Sequence, residues 1–424
     1  MKQYRTLLGY EMKKICCRKS TWITIAALVF AFLASVALTW GMSYTHVVEV
    51  QENSTGQVKS REWHDTYAKR KARERKNGIF WSGRKIDDNL LADIYNGYRK
   101  AEETADKTGD DELFTREMER FSLLEGTLDA VSGTSELLPQ LYDAQGPDRL
   151  TAEKLYAIRD AAAEKHRASF GLTEGEESYW QEKEKSLAKP FTYQYAEGFC
   201  QMISMNGIYM VVMFATFLLA VVVSRIFAEE HQRGLDQIIL CSRFGRGQLY
   251  FVKVLAGILF AFFAVFIMAG IITAVTFICY GTEGFSAAVQ LIAGWYSYPL
   301  TVGQILLVML GLCLISVLFT SIFIMVVSEK FRSSMAGMAA AVLTVGVARI
   351  IVIPREFRVM SQIWNYFPMN LLKIDQGFLD VRLVNIFGVK LTSWQFAPIL
   401  YLILGGILVL LGRRCYCRHQ VQGR

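Results

Sequence analysis

Residues 21–43, Thr21-WITIAALVFAFLASVALTWGM-Ser43, run for 23 positions without a charge. A helix rises about 1.5 Å per residue and a bilayer's hydrocarbon core is about 30 Å thick, so about twenty apolar residues cross it. The stretch has that length, and it lacks the polar face that a helix half-buried in a soluble core would keep. Its apolar run is longer than the roughly 7–15 residues of a secretory signal's central region, and no small-x-small cleavage site follows. A retained membrane anchor is expected.

Working outward, five more segments meet the same criterion: 203–223, 254–280, 304–327, 334–353 and 396–412. Only 334–353 holds a charge, Arg349, near one end where a long side chain can reach the interface. Composition agrees, with 52% hydrophobic and 13% aromatic residues, only 7 prolines and a mean hydropathy of +0.25. The expected fold is an all-α membrane protein with six transmembrane helices. An N-terminal amphipathic interfacial helix (1–20) precedes the first span (21–43), and a mainly helical extracytoplasmic domain occupies 44–200. The other five spans follow in 201–424, with a loop at 224–253.

Charge sets the expected orientation. Lys13, Lys14, Arg18 and Lys19 precede the first span, and Arg225, Arg233, Arg243, Arg246 and Lys253 fill the loop after the second. Lys330 and Arg332 lie between the fourth and fifth spans, and Arg413, Arg414 and Arg418 follow the sixth. With six spans all four groups share one side, which the positive-inside rule makes the cytoplasm. Segment 44–200 holds 23 basic and 30 acidic residues, a net of −7, leaving 23 − 9 = +14 for the rest. The formal +7 therefore reflects membrane topology and gives no reason to expect a nucleic-acid partner.

The first twenty residues place Tyr4, Leu7, Leu8, Met12 and Ile15 at helical spacing among cations, as in a helix lying at a lipid surface. In 44–200, three helical stripes stand out: Leu90, Leu91, Ile94, Tyr95 and Tyr98; Phe114, Met118, Phe121 and Leu128; and Leu155, Ile158 and Ala162. Asp87 and Thr151 are expected N-caps, and Gly109, Gly133, Gly146 and Gly171 mark breaks. Lys69–Lys76 reads as a solvated cationic face, and Asn53-Ser-Thr55 is a sequon relevant only in a eukaryotic secretory pathway. Trp295, Tyr296, Tyr298 and Pro299 form an expected interfacial aromatic cluster. The connection containing Ile363, Trp364, Tyr366, Phe367, Leu371 and Leu372 is apolar enough to lie on the outer leaflet; packing on the external domain is the alternative.

Eight cysteines form no disulfide framework; only Cys200 and Cys279 reach the outer ends of spans, where a bridge between them is an open possibility. Cys415-Tyr-Cys417 lacks the partner ligands of a zinc site, and no metal is expected. The chain has no Gly-x-x-x-x-Gly-Lys-Ser/Thr loop, no His-Glu-x-x-His and no Gly-x-Ser-x-Gly. No acidic pair lies inside the spans, which argues against an ion-driven transporter. Enzymatic activity is not expected, and any energy for transport would come from another chain.

The loop Arg225-IFAEEHQRGLDQIILCSRFGRGQLYFV-Lys253 carries the most specific pattern. Glu230 and Gly234 form Glu-x-x-x-Gly, 235–240 is an apolar run, Ser242 and Arg246 flank a turn, and Lys253 begins the next span. This loop resembles that of permease subunits of type-2 ABC exporters, in which Ser/Thr-Pro-x-x-Arg forms the turn; here Arg243 stands where that family has proline. The resemblance extends to the basic N-terminal helix and the span order, and weakly to inserts in some Gram-positive members around residues 76–98.

It implies a helix from Phe227 to Leu240 that docks on a separate cytoplasmic ATPase subunit, the only chain to bind ATP, so that no cofactor belongs to this one. Phe227, Glu230, Gly234, Ile238, Ile239, Arg246 and Lys253 would couple the two. Glu230 and Arg246 would hold the loop's shape, and Gly234 would allow close helix approach. A second permease subunit would complete the pathway. The resemblance further implies export, or extraction from the outer leaflet, of an amphipathic substrate, as in resistance to peptide antibiotics. A non-transporting receptor, whose external domain binds a peptide or envelope component, is the alternative.

Overall fold

The computed structural model describes residues 2–51, 58–108, 118–134, 141, 150–204, 207–234 and 247–417. The chain is mostly helical. It begins with α1 (Lys2–Cys16) and α2 (Lys19–Gly41), then an antiparallel ribbon of β1 (Ser43–Gln51) and β2 (Val58–Thr66). Next come α3 (Tyr67–Trp81), α4 (Asp88–Thr108), α5 (Ser122–Ser132), α6 (Ala152–Ala168), α7 (Glu174–Lys185) and α8 (Glu197–Ile203). The long helices follow: α9 (Ile208–Val222) running into α10 (Arg225–Gln232), α11 (Gln248–Tyr280), α12 (Val302–Phe331) and α13 (Ser334–Ile350). A short α14 (Arg358–Asn365), a ribbon of β3 (Val384–Ile386) and β4 (Val389–Leu391), and α15 (Ser393–Cys417) complete the order.

Among the described residues, five helices are long and apolar enough to cross a membrane: 19–41, 208–232, 248–280, 302–331 and 393–417. This is the pattern of a multi-pass membrane protein. The sixth expected span is α13, apolar but only 17 residues long, or about 26 Å against a core of about 30 Å. Hydropathy alone carries this segment to Ile353, but the helix stops at Ile350 and Ile351 is extended. The β-branched run Ile350-Ile-Val-Ile353 resists helix at χ1, and Pro354 disfavours it in the residue before. The second span likewise begins at Ile208 rather than 203. A Cβ on the non-helical Gly207 would lie 2.1 Å from the Met202 carbonyl oxygen, so the chain turns back there too tightly for any side chain.

The chain forms two compact units. One comprises Met1–Phe32, Gln201–Val275 and Leu306–Arg424; the other comprises Leu33–Cys200 and Thr276–Ile305. In the first, α9 packs against α13, where Gly337 meets Ser224 and Ser328: a Cβ on Gly337 would lie 2.8 Å from the Ser224 Cβ. The connection 351–392 clusters with this unit. Leu371 and Leu372 are buried, while Ile363 is exposed. A buried Arg382 organises the segment, donating to Asp380, to the Arg358 carbonyl and to Ser361 Oγ at 2.7 Å.

The second unit is helical with one ribbon, which pairs Ser43 with Thr66 and Gln51 with Val58 and was not expected from the helical stripes. Asp87 Oδ1 accepts from the Leu90 amide, and the Thr151 hydroxyl from the Lys154 amide, as expected of N-caps. The first stripe buries Leu90, Leu91 and Ile94, and the second Phe121 and Leu128; Phe114, Gly109, Gly146 and the sequon lie outside the described residues. On α6 the buried face is Leu155, Arg159, Ala163 and Arg167, one position along from the expected Ile158 and Ala162. Both arginines find acceptors inside: Arg159 Nε donates to Gly294 O at 2.6 Å and Arg167 Nη1 to Ser297 Oγ at 3.2 Å. The aromatic cluster belongs to this core rather than to a lipid interface. Tyr296 is fully buried beside Trp180, and Trp295 stacks on His166 at 3.7 Å. Cys200 and Cys279 are free thiols, and burial pushes the Cys200 thiol up to about 12.

Candidate coupling site

The eight residues of α10 sit where helices distant in sequence meet. Lys253, in the second turn of α11, is fully enclosed. Its ammonium has three donors and meets three acceptors: Glu230 Oε1 at 2.6 Å, the Ile226 carbonyl at 3.2 Å and Glu11 Oε1 at 3.3 Å. The Phe227 ring lies 5.8 Å from the same nitrogen and adds a cation–π contact. Every face of the buried charge is therefore answered, as a charge removed from water requires.

Glu230 also accepts from Lys14 at 3.3 Å, and Glu229 from Arg18 and from Arg233, the latter at 2.6 Å. These pairs tie the basic face of α1 to α10, so the N-terminal helix is docked on protein through its cations. On the opposite side His231 Nε2 lies 3.0 Å from Glu329 Oε2, joining α10 to the end of α12, and both side chains are buried. Phe227 packs against Tyr250 and Tyr416, and the Tyr250 hydroxyl donates to Val409 O at 2.9 Å, which brings in α15. The short helix also packs against α13, and so has partners on α1, α11, α12, α13 and α15.

Of the residues singled out in the sequence, Phe227, Glu230 and Lys253 are brought into one cluster. Gly234 has a φ of +66°, and no described atom lies within 4 Å of a Cβ built there. It follows Arg233, the C-cap of α10, in the left-handed region that glycine occupies without strain. The expected helix from Phe227 to Leu240 is accordingly broken: α10 ends at Gln232. Ile238, Ile239 and Arg246 lie outside the described residues.

Sequence reasoning missed Glu11, His231, Glu329, Tyr250 and Tyr416. A signal existed for two of them. Glu11 is the one carboxylate among six cations in its segment, and Glu329 is the one carboxylate from 302 to 355. An isolated acid in basic or apolar surroundings needs a partner from elsewhere in the chain. No family model matches the chain, and no curated protein matches it.

Proposed function

We propose that this chain is the membrane-spanning permease subunit of an ABC exporter. It would work with a second permease subunit and with ATPase subunits that bind and hydrolyse ATP in the cytoplasm. The reading takes α13 as a sixth, short span, puts both termini in the cytoplasm of a plasma-membrane protein, and puts the acidic segment 44–200 outside. The observation that carries it is the convergence of Glu230 and Lys253, two positions of the pattern that resembles the family, with Phe227 on a buried cluster to which five helices attach. A displacement of α10 would be felt by α11, α12 and α15 together, because buried ion pairs and packed rings transmit movement where lipid contacts yield. In this reading the loop 224–253 contacts the ATPase, and Gly234 follows the end of its first helix. The substrate is read as amphipathic, peptide-like or lipid-like.

Purification of the full chain from its own membrane tests the proposal. A cytoplasmic P-loop ATPase should co-purify, and Glu230→Gln should lower its stimulated hydrolysis without lowering the amount of chain inserted. Absence of such a partner, or unchanged hydrolysis with unchanged transport, would overturn it. The receptor reading has one observation in its favour: an open cleft of about 470 Å3 between α6 and α7, lined by Arg167, Leu172, Glu174, Glu177 and Gln181. Ligand binding by a chain that carries no ATPase would favour that reading.

A further inference from the structure

A second feature of the helical unit lies apart from the charged cluster. α12, α13, α15 and the connection 351–392 enclose a groove of about 1250 Å3, larger than the roughly 300–1,000 Å3 of common small-molecule pockets. Its floor is made by small residues of α13, Ala336, Ala339 and Ala340, and its walls by Phe319, Phe323 and Phe331 of α12. Three of the hydroxyls lining it are engaged within the protein: Thr320 donates to Ser316 O at 2.8 Å, Thr344 to Ala341 O at 2.6 Å and Tyr401 to Tyr366 O at 2.8 Å. Apart from Gln362, Asn385 and the Tyr366 hydroxyl the lining is aliphatic and aromatic, a surface that suits alkyl groups. Along α12 the lining runs from Phe319 to Phe331, about 18 Å at helical rise, which exceeds the half-thickness of about 15 Å of a bilayer core.

One end of the groove is cationic. Phe331 lines it, and the Lys330 ammonium lies 5.7 Å from the Phe331 ring, with exposed Arg332 next in sequence. The adjacent carboxylate, Glu329, is turned inward to His231 and does not neutralise this end. A long apolar trough with a cation at its mouth matches an anionic lipid, with its chains in the trough and its phosphate at the basic end; basic pockets between spanning helices recognise headgroups in this way.

We propose that the groove is a binding site for an anionic phospholipid of the leaflet that faces Lys330. A second copy of the chain is the competing occupant, since small residues on spanning helices also admit a neighbouring helix; the exposed Lys330 at the mouth favours the anionic lipid. The site rests on the membrane character of the helices and not on the transport reading.

Mass spectrometry of the intact protein released from lipid nanodiscs tests it, with no ATPase present. From phosphatidylglycerol discs the chain should carry one tightly held lipid, and from phosphatidylcholine discs about tenfold less, the difference expected for one charge-assisted contact. Lys330→Gln should reduce phosphatidylglycerol retention by a similar factor while leaving phosphatidylcholine unchanged. Ala339→Phe, at an exposed position on the floor, should abolish retention of both. Equal retention of the two lipids, or retention unaffected by Ala339→Phe, overturns the site. So does spontaneous disulfide cross-linking of Ala339→Cys between two chains, which would assign the groove to a second copy.

Discussion

Lys253 and Arg159 are both cations with no exposed side chain, one in each unit, and they are held in different ways. Lys253 is a point charge with three donors, each matched, drawing on α1, α10 and α11. Arg159 is a planar fork: Nε reaches Gly294 O, Nη1 reaches Asp160 and Glu184, and Nη2 has no partner among the described residues. Their partners differ more. Glu230 is enclosed, whereas Glu184 is 20% exposed and also paired with Lys189 at 3.2 Å. The difference follows from the solvent each unit answers to. Helices facing lipid confine their charges to a few enclosed clusters near helix ends, where every lone pair must be met internally. The other unit has Arg, Lys and carboxylates over its surface and lets water finish what protein leaves undone.

Removing the cation in each cluster gives the largest expected contrast. Lys253→Met leaves Glu230 buried with only the half-exposed Lys14, and should destabilise the detergent-solubilised chain by about 3–5 kcal/mol. The double variant Lys253→Met/Glu230→Gln should recover part of that loss in thermal unfolding. A double variant no more stable than the single would show that the ion pair does not govern this junction.

Arg159→Met should cost less, about 2–3 kcal/mol, because Glu184 keeps Lys189 and some water. Hydrogen exchange should show the loss in α6, α7 and residues 289–300, leaving α9 and α13 protected. Equal deprotection of both units would break the comparison.

Acid supplies a third, smaller effect. Burial raises the Glu184 carboxyl, but hydrogen bonds from Arg159 and Ser297 outweigh it and hold the group below the ordinary glutamate value of 4.5. A carboxylate depressed on folding contributes stability that is complete above its unfolded pKa and is lost as pH falls through the folded one. The unit containing it should therefore melt earlier below about pH 4.5, and Glu184→Gln should flatten that dependence. A slope unchanged by Glu184→Gln would reject the assignment.

The smallest effect is the exposed bidentate pair of Arg73 with Glu119, at 2.9 and 3.1 Å. Arg73→Gln should change stability by no more than about 1 kcal/mol, and less in high salt. A loss as large as that of Arg159→Met would mean that exposure does not separate these clusters.

Much of the helical layout was legible because length and hydropathy act locally. Where segments 254–280, 304–327 and 396–412 were expected, helices extend two to six residues beyond the apolar runs at one or both ends, since helix continues past the apolar limit when the flanking residues tolerate it. The ends that moved inward, at Ile208 and Ile350, did so for backbone reasons that a hydropathy count does not weigh. Arg159 and Arg167 did not stand out in the sequence because their acceptors come from residues 294 and 297, far along the chain. Trp295 and Tyr296 were assigned to lipid because an aromatic cluster beside a span has the same composition whether it faces lipid or a protein core.

By itself the sequence determined that several helices are built for lipid, and the loop's resemblance to a known pattern put Glu230 and Lys253 together. Both follow from properties of neighbouring residues: hydropathy over one helix length, and spacing within one loop. Tertiary structure alone decided that Lys253 has Glu11 for a partner, 242 residues away, and that His231 faces Glu329. It also gave Gly234 the role of ending a helix. Which distant acceptor meets a buried charge depends on how helices pack, and packing is not written in any one segment.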